Sequence, residues 1–557
     1  MEHLAMRTAT RSGRALGSAL RMIAVGIVAA GLAGTSRGQT PPTPGSVQES
    51  LVRPRLTPPA SPAQVILPEQ AGPSIHDRKG KRFQVHSFRF VGNTVFPVRR
   101  LKQVVERYLD LELNLYDLNV AADSVTEFYH DRGYSLARAV IPAQEVKDGV
   151  VTIAVIEGRI GKVLFSGHKG YSEDFLRRQV GRLPAGSLVA AENLERTLLL
   201  LNDLPGLKVR ATLAPGAEFG TSDVLVKAEE KPIALNLTAD NFGSKETGRK
   251  RADAGVELNN PLGIGDQLSL RAVTTERKLI KFGKVGYSLP LDDDGLRLAA
   301  SFAESRYDVA GDFAALGLSG SSQVAEVSVQ YPLARSRGHN ETVSLGMKTT
   351  HLVQQTLAVE TSNTRIPMIT LSYLFNRIGE DASVSNLSAQ VASNLRTNSS
   401  GTRQDAQRFR LEIDGNYLLP LDRKWDVYLR GAWAYSPDRL PDSEKYSIGG
   451  PGSIRAYRAS ELRGDSGAQA TLEFRRSLQF GSMPGSAAIF ADSGKVAYKA
   501  PGYADSFQSI SAWGAGLTLY PMRQVTAKIE AAIPGGGRMR SIDGKTGRLW
   551  ASISASF

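Results

Sequence analysis

Asn260-Pro261-Leu262, Leu289-Pro290-Leu291, Tyr331-Pro332-Leu333, Tyr373-Leu374-Phe375-Asn376, Leu419-Pro420-Leu421, Phe480-Gly481-Ser482 and Tyr520-Pro521-Met522 punctuate the C-terminal part of this chain at about one hairpin's spacing. Seven short turns on one side of a sheet, with eight longer loops on the other, make sixteen strands. An even strand count with short turns and long loops describes an antiparallel barrel of the bacterial outer membrane.

Between the turns the period is two. Ile233, Leu235, Leu237 and Ala239 alternate with Ala234, Asn236, Thr238 and Asp240, and Leu296, Leu298, Ala300 and Phe302 alternate with Arg297, Ala299, Ser301 and Ala303. In a membrane barrel the apolar face meets lipid and the other face meets the lumen. A soluble sandwich or solenoid would be as periodic, so alternation alone does not decide. The terminal strand adds weight: Leu549, Ala551, Ile553, Ala555 and Phe557 share one face, and Trp550 is available as an interface aromatic. Residues 233–557 are therefore read as an all-β 16-stranded transmembrane barrel.

Upstream the composition changes three times. Residues 1–38 read as a secretory signal peptide: Arg7, Arg11, Arg14 and Arg21 precede an apolar Met22–Ala33 core too short to span a bilayer, and Ser36 and Gly38 suit a cleavage site. The leader's five Arg and one Glu carry four of the chain's +13 formal charges. The remaining cations are spread along alternating strands rather than gathered into a nucleic-acid patch. Residues 39–80 are Pro-rich, a semi-extended linker with a short helix expected near Val47–Val52 and a role as a plug left open. Residues 81–157 and 158–232 are two similar units, offset by 75 residues. Each opens with a strand ending in Gly (Phe88–Gly92 and Val163–Gly167). Two helices and two strands follow, giving β-α-α-β-β, a small α+β domain. Pro97 is placed at the first helical position, and Leu101, Val104, Val105, Tyr108 and Leu109 on one helix face.

The turns also number the loops. The sixth spans about Ser436–Ala468, much longer than its neighbours, and contains Gly449-Gly450-Pro451-Gly452-Ser453-Ile454-Arg455-Ala456-Tyr457-Arg458. Long ordered loops are usually functional. The next strand reads Ala487-Ala488-Ile489-Phe490-Ala491-Asp492-Ser493-Gly494. A carboxylate is disfavoured against lipid, so Phe490 and Asp492 face the lumen. Arg455 and Asp492 are then able to form a charge-assisted pair that folds the loop into the barrel, or to be solvated separately.

In the order of its parts the chain resembles the transporter component of two-partner (type Vb) secretion, the haemolysin/haemagglutinin secretion-pore family. Ile454, Arg455, Ala456 and Tyr457 are similar to its lid-loop motif, with Ala456 where Gly is usual. Phe490, Asp492 and Gly494 are similar to its inner-wall motif Phe-x-Asp-x-Gly. The resemblance implies that the Arg455 side chain meets Asp492 and keeps the loop in the pore. It implies two periplasmic POTRA domains that recognise an unfolded exoprotein, an adhesin or cytolysin, and a barrel that passes it to the cell surface. Partners on this basis are the exoprotein, the lipid bilayer with lipopolysaccharide, and the barrel-assembly machinery through Phe557. The other readings are an outer-membrane insertase and a passive porin. Two periplasmic units and the Pro-rich segment favour the exporter.

The seven His are scattered without metal-ligand spacing, there is no G-x-S-x-G elbow or P-loop, and there are no cysteines. No enzyme, cofactor or metal is expected. Asp292-Asp293-Asp294 reads as a solvated periplasmic turn.

Overall fold

The computed structural model describes residues 42–52, 65–66, 80–394, 398–399, 408–499, 505–536, 541 and 543–557. The segment read as a signal peptide lies outside the described residues. From Ile233 onward, sixteen antiparallel strands close into a barrel, and a two-residue piece, Asn398–Ser399, continues strand 9 (Val384–Asn394) alongside strand 8 (Val359–Ile378). Closure is physically required, because a strand edge left open in hydrocarbon would strand its N–H and C=O groups. Strand 1 (Ile233–Asp240) pairs with strand 16 (Arg548–Ser556) over only five register positions, Asn236–Asp240 against Ser552–Ser556. Leu235 and Phe557 exchange backbone bonds of 3.0 and 2.8 Å below it. Above it, Asn241 N donates to Ala551 O at 3.2 Å and the Asn241 side chain carries the ladder further. Its amide donates to Leu549 O at 2.9 Å and its oxygen accepts from Ala551 N at 2.9 Å.

Three expected turns lie further along the chain. Strand 6 (Leu318–Arg335) runs past Tyr331-Pro332, and strand 8 (Val359–Ile378) runs past Tyr373–Asn376. Tyr331, Val343 and Tyr373 form one row across strands 6, 7 (His339–Thr356) and 8, as interface aromatics do. Pro332 has no N–H for the ladder and sits at a register shift. Tyr520-Pro521 likewise falls inside strand 14 (Ser506–Met522), again at a register shift. A larger correction concerns Trp550. It is buried on the inner face, opposite Glu530 in register, and is not an interface aromatic.

The first α+β unit consists of strands Phe83–Val85 and Ser87–Val91, helix Val98–Val105, strand Leu111–Leu113, helix Leu115–His130 and strands Arg138–Val140 and Val150–Ile156. Pro97 is the residue before the first helix rather than inside it, and that helix ends at Val105, so Leu109 lies beyond it. The second unit has strand Arg159–Ser166, helices Glu173–Gln179 and Ala191–Asn202, and strands Leu207–Pro215 and Thr221–Glu230. Leu136 of the first unit is buried in the core of the second, so the two are joined by packing as well as by chain.

Both units use one device that the sequence repeat did not reveal. After the first strand, Gly92 (φ 82°) and Gly167 (φ 80°) turn the chain where a Cβ would strike the carbonyls of Val155 and Ala228. Two residues past each carbonyl is a carboxylate. Glu157 accepts from Thr94 N at 2.6 Å, Val95 N at 2.8 Å and the Tyr129 hydroxyl at 2.9 Å. Glu230 accepts from Lys169 N and Gly170 N, both at 2.8 Å. Burial opposes the Glu157 charge, but the Thr94, Val95 and Tyr129 bonds outweigh it and hold the carboxyl below its ordinary 4.5.

The second unit is bolted to the barrel's periplasmic turns. Arg335 forks onto Asp203 with two bonds of 2.7 Å, and Arg337 N donates to Glu195 at 2.8 Å. Gln179 donates to Asp293 at 2.6 Å and Arg182 to Asp294 at 2.5 Å. The acidic run is thus a docking turn rather than a merely solvated one. The Arg182 bond holds the Asp294 carboxyl below its ordinary range.

Because the folded Glu157 carboxyl is depressed, its stabilisation is complete above its ordinary pKa and is lost as pH falls through the folded value. Glu157→Gln should weaken the first unit by about 1–3 kcal/mol at pH 7, and the difference from wild type should vanish in acid. Hydrogen exchange of residues 92–96 measured against pH checks both the size and the sign.

Candidate functional site

Loop 6 spans Ser436–Asp465, between strand 11 (Trp425–Tyr435) and strand 12 (Ser466–Phe480). It does not project outward. A small hairpin, Tyr446–Ile448 with Leu462–Gly464, carries the tip down inside the barrel. Gly449 (φ 111°) and Gly450 (φ 100°) make the bend, and a Cβ on Gly450 would lie 2.9 Å from Ala459 Cα. The tip is cross-tied by Gly450 N to Tyr457 O at 3.1 Å and Ser453 N to Gly450 O at 3.0 Å. Ile448, Ile454, Ala456, Tyr457 and Leu462 then form an apolar cluster with Ala432, Phe490, Val496, Ile510 and Ala532 of the inner wall. Gly494 leaves room for it, since a Cβ there would sit 3.1 Å from Ile448 Cδ1 and 3.2 Å from Ile454 Cδ1. Ala456 is fully buried in this cluster.

Arg455 is only 4% exposed and its side chain meets three carboxylates. It forks onto Asp492 of strand 13 (Met483–Tyr498), with Nε to Oδ2 at 2.9 Å and Nη2 to Oδ1 at 2.7 Å. Its backbone N–H adds a third bond to Asp492, 3.1 Å. Nη1 donates to Glu473 of strand 12 at 2.7 Å and to Glu530 of strand 15 (Val525–Pro534) at 2.8 Å. Arg475 bonds Glu473 at 2.8 Å, and Lys528 bonds Glu530 at 2.9 Å. Three cations therefore face three anions, and the buried cluster is neutral. This matters because an isolated charge could not remain buried here.

The guanidinium also lies on the Phe490 ring, Cζ 3.2 Å from the centroid. Gly514 lies beside Phe490 in register, and a Cβ there would be 2.7 Å from Phe490 Cζ. The inner wall is thus a sandwich of Gly514, Phe490 and Arg455. From the other side, Trp550 Nε1 donates to the Arg455 carbonyl at 2.6 Å. Sequence reasoning brought Arg455, Phe490 and Asp492 together. It missed Glu473, Glu530, Gly514 and Trp550. Inner-face parity was the available signal for Glu473, which pairs in register with Phe490, and for Glu530 and Trp550, which pair with each other.

The Pro-rich segment also enters the lumen. Helix Pro44–Val52 starts with Pro at its first position, and Thr43 and Ser46 cap each other's N–H at 3.2 and 3.0 Å. Val47 and Leu51 are buried among Val273, Ile280, Phe282, Tyr307 and Leu318 of the wall. Arg271 Nη1 caps Leu51 O at 2.8 Å. At the other end the Thr43 hydroxyl donates to Asp442 of loop 6, and Arg463 of the same loop donates to Thr43 (3.1 Å) and Asp442 (2.7 Å). Helix and loop both lie inside the barrel, against its inner wall.

Comparison with known proteins now adds to this geometry. Residues 220–519 match the family described as haemolysin secretion/activation protein ShlB/FhaC/HecB, and residues 83–158 match the POTRA domain, ShlB-type. The chain belongs to the haemolysin secretion/activation family. The heme/hemopexin transporter protein HuxB of Haemophilus influenzae (strain ATCC 51907 / DSM 11121 / KW20 / Rd) is 24% identical over 93% of this chain and 95% of its own length. The outer membrane transporter CdiB of Dickeya dadantii (strain 3937) is 24% identical over 70% and 72%. Among solved structures, CdiB from Escherichia coli superposes with a TM-score of 0.71 at 20% identity over 88% of this chain and 93% of that one. BamA from Haemophilus ducreyi, lacking POTRA domains 1–3, gives 0.51 at 16% identity over 85% of this chain and 100% of that one. This haemolysin-secretion-family protein is an outer-membrane barrel with POTRA domains in the periplasm, and it translocates an exoprotein. The exporter reading is supported over the insertase.

Arg455→Ala leaves three carboxylates facing one another, and removing one partner of such a cluster costs about 3–5 kcal/mol, less where lumen water reaches it. The expected outcome is an inserted, heat-modifiable barrel with frequent high-conductance bursts in planar bilayers. A trace like wild type would mean the cluster does not hold the loop. Phe490→Leu, which removes the ring from under the guanidinium without touching a charge, should give the same kind of bursts less often. Trp550→Phe removes one N–H, worth about 0.5–1.5 kcal/mol, and should show a smaller increase.

Proposed function

We propose that the exoprotein client, a large unfolded adhesin or cytolysin, is captured by strand addition on the second POTRA domain and then displaces the helix and the loop from the lumen. One observation carries this. Val65 and Ile66 of the linker pair in parallel with Ala211 and Thr212, making an extra strand on the open edge of that domain's sheet. An edge that already accepts an added strand is a template for another. The corresponding edge of the first domain, Arg138–Val140, is three residues long and is followed closely by Pro142, a poorer template.

Main-chain pairing suits a client that must remain unfolded, since it reads no folded surface. A client strand on Leu207–Pro215 competes with the linker, and the linker is continuous in sequence with the plug helix. Capture therefore bears on the helix, and through Thr43 on loop 6. Arg455 and Asp492 act as the latch of the closed state, with Ile454, Ala456, Tyr457, Phe490 and Gly494 shaping its seat. Folding of the client outside the cell supplies the direction. The names of the relatives, heme/hemopexin transporter and outer membrane transporter, support a transport role. The outer wall meets lipid and lipopolysaccharide, and Phe557, exposed at the foot of the seam, is the contact for barrel-assembly machinery.

The test is competition. Val65→Pro with Ile66→Pro removes two N–H donors from the linker strand. With about 1 kcal/mol of net pairing lost, the full-length protein should bind the client's N-terminal domain about fivefold more tightly by calorimetry. Unchanged affinity would remove the edge from the mechanism.

A further inference from the structure

On the outer wall, strands 4 (Ile280–Pro290), 5 (Arg297–Asp308) and 6–8 change character abruptly along their length. Registered outward-facing rows Leu289–Leu298–Val329–Leu345–Leu371 and Tyr287–Ala300–Val327–Met347–Ile369 are apolar. The row above, Val285–Phe302–Ala325–Thr349–Pro367, is nearly so. The next two read Gly283–Glu304–Gln323–His351–Arg365 and Lys281–Arg306–Ser321–Val353–Asn363. Lys281 and Arg306 are both nine residues from the periplasmic ends of their strands, Pro290 and Arg297. Nine residues at about 3.3 Å each, tilted by about 40°, rise roughly 23 Å, close to the height of the apolar band of such barrels. These charges therefore stand at the headgroup level of the outer leaflet.

Lys281 and Arg306 are direct cross-strand partners, and both are exposed. Like charges placed opposite each other destabilise a sheet unless an anion lies between them. Glu304 pairs with Arg306 at 2.9 Å, but that contact is largely exposed and leaves Lys281 and Arg365 without a carboxylate among the described residues. His351 is bonded to Asn363 at 2.9 Å. Exposed Phe302, Val285, Val327 and Met347 lie directly beneath. On the opposite wall the outer ends of strands 11, 13 and 14 carry Trp433, Tyr435 and Phe507, with Lys495 stacked on the Phe507 ring.

We propose that this patch binds lipopolysaccharide, with phosphates held by Lys281, Arg306 and Arg365 and acyl chains lying on the apolar rows below. Phosphates directly above several acyl chains match cations directly above an apolar wall. The assignment rests on the barrel wall facing lipopolysaccharide and deepens that reading. It is independent of the lumen, since none of these residues faces the latch.

The test uses the full-length detergent-purified protein and the triple variant Lys281→Gln, Arg306→Gln, Arg365→Gln. Native mass spectrometry should show wild type binding bisphosphorylated lipid A. The variant should lose binding on the order of a hundredfold, from about fivefold per cation. Lys495→Gln on the opposite wall should bind like wild type. Three outcomes would overturn the assignment: equal binding by the triple variant, equal binding of lipid A stripped of its phosphates, or equal binding of phosphatidylglycerol. Displacement of lipid A by inorganic phosphate at matched concentration would also overturn it, because the site would then read phosphate alone. Heat-modifiability confirms that the variant is folded. Client secretion separates the two readings: loss of lipid binding with secretion intact supports the patch without bearing on transport.

Discussion

Hydrocarbon cannot hydrogen-bond a peptide group, and the rest of this structure follows from that restriction. Sixteen strands must close on themselves, so the chain is committed to a lumen whose inner face is polar. The closure is thinnest where the barrel's first and last strands meet. There a five-residue ladder is extended upward by the Asn241 side chain acting as a peptide group toward Leu549 and Ala551. A wide lumen would leak, so it must also be filled. The filling comes from segments that are not wall: helix Pro44–Val52 and loop 6.

How the filling is held differs between the two. The helix is seated by two buried apolar side chains and by polar contacts at its ends, one of which runs through Asp442, itself partly exposed. Loop 6 is seated by an apolar cluster and a neutral knot of six charges, of which Arg455 and Asp492 are almost wholly removed from water. The knot is balanced, so it is tolerable inside the wall. It is also indivisible, because withdrawing Arg455 alone leaves Asp492, Glu473 and Glu530 with only Arg475 and Lys528. As the proposed latch, the knot would resist small displacements and give way only when the whole tip leaves and water enters.

Much of this was legible in the sequence. Turn residues set the strand number, since Pro and Gly interrupt a period-two pattern for steric reasons that act locally. The exceptions, Tyr331 and Tyr373, share the turn vocabulary but serve as rim aromatics, and only the register of strands 6–8 tells these uses apart. Arg455 and Asp492 were reachable because an acid on a predicted membrane strand has one tolerable direction. Glu473, Glu530 and Trp550 obey the same parity, yet nothing local says that strands 12, 13, 15 and 16 present them to one point. That convergence is a property of barrel curvature. Asp293 and Asp294 were misread for a related reason: an acidic turn looks solvated until Gln179 and Arg182, far away in sequence, are placed against it.

The asymmetry between the two fillings imposes an order on opening. Contacts of the helix through Thr43 run to the Asp442–Arg463 pair, whose carboxylate is partly exposed, and water there weakens an ion pair. The Arg455 knot is buried, and breaking it piecemeal costs several times more. In the proposed mechanism, a pull arriving along the linker from the POTRA edge meets the weaker set first. Once the helix leaves, Asp442 and Arg463 lose their shared partner, and the space vacated beside loop 6 admits water. Water lowers the desolvation cost of separating Arg455 from its carboxylates, so departure of the first filling weakens the hold on the second without any contact between the client and the latch.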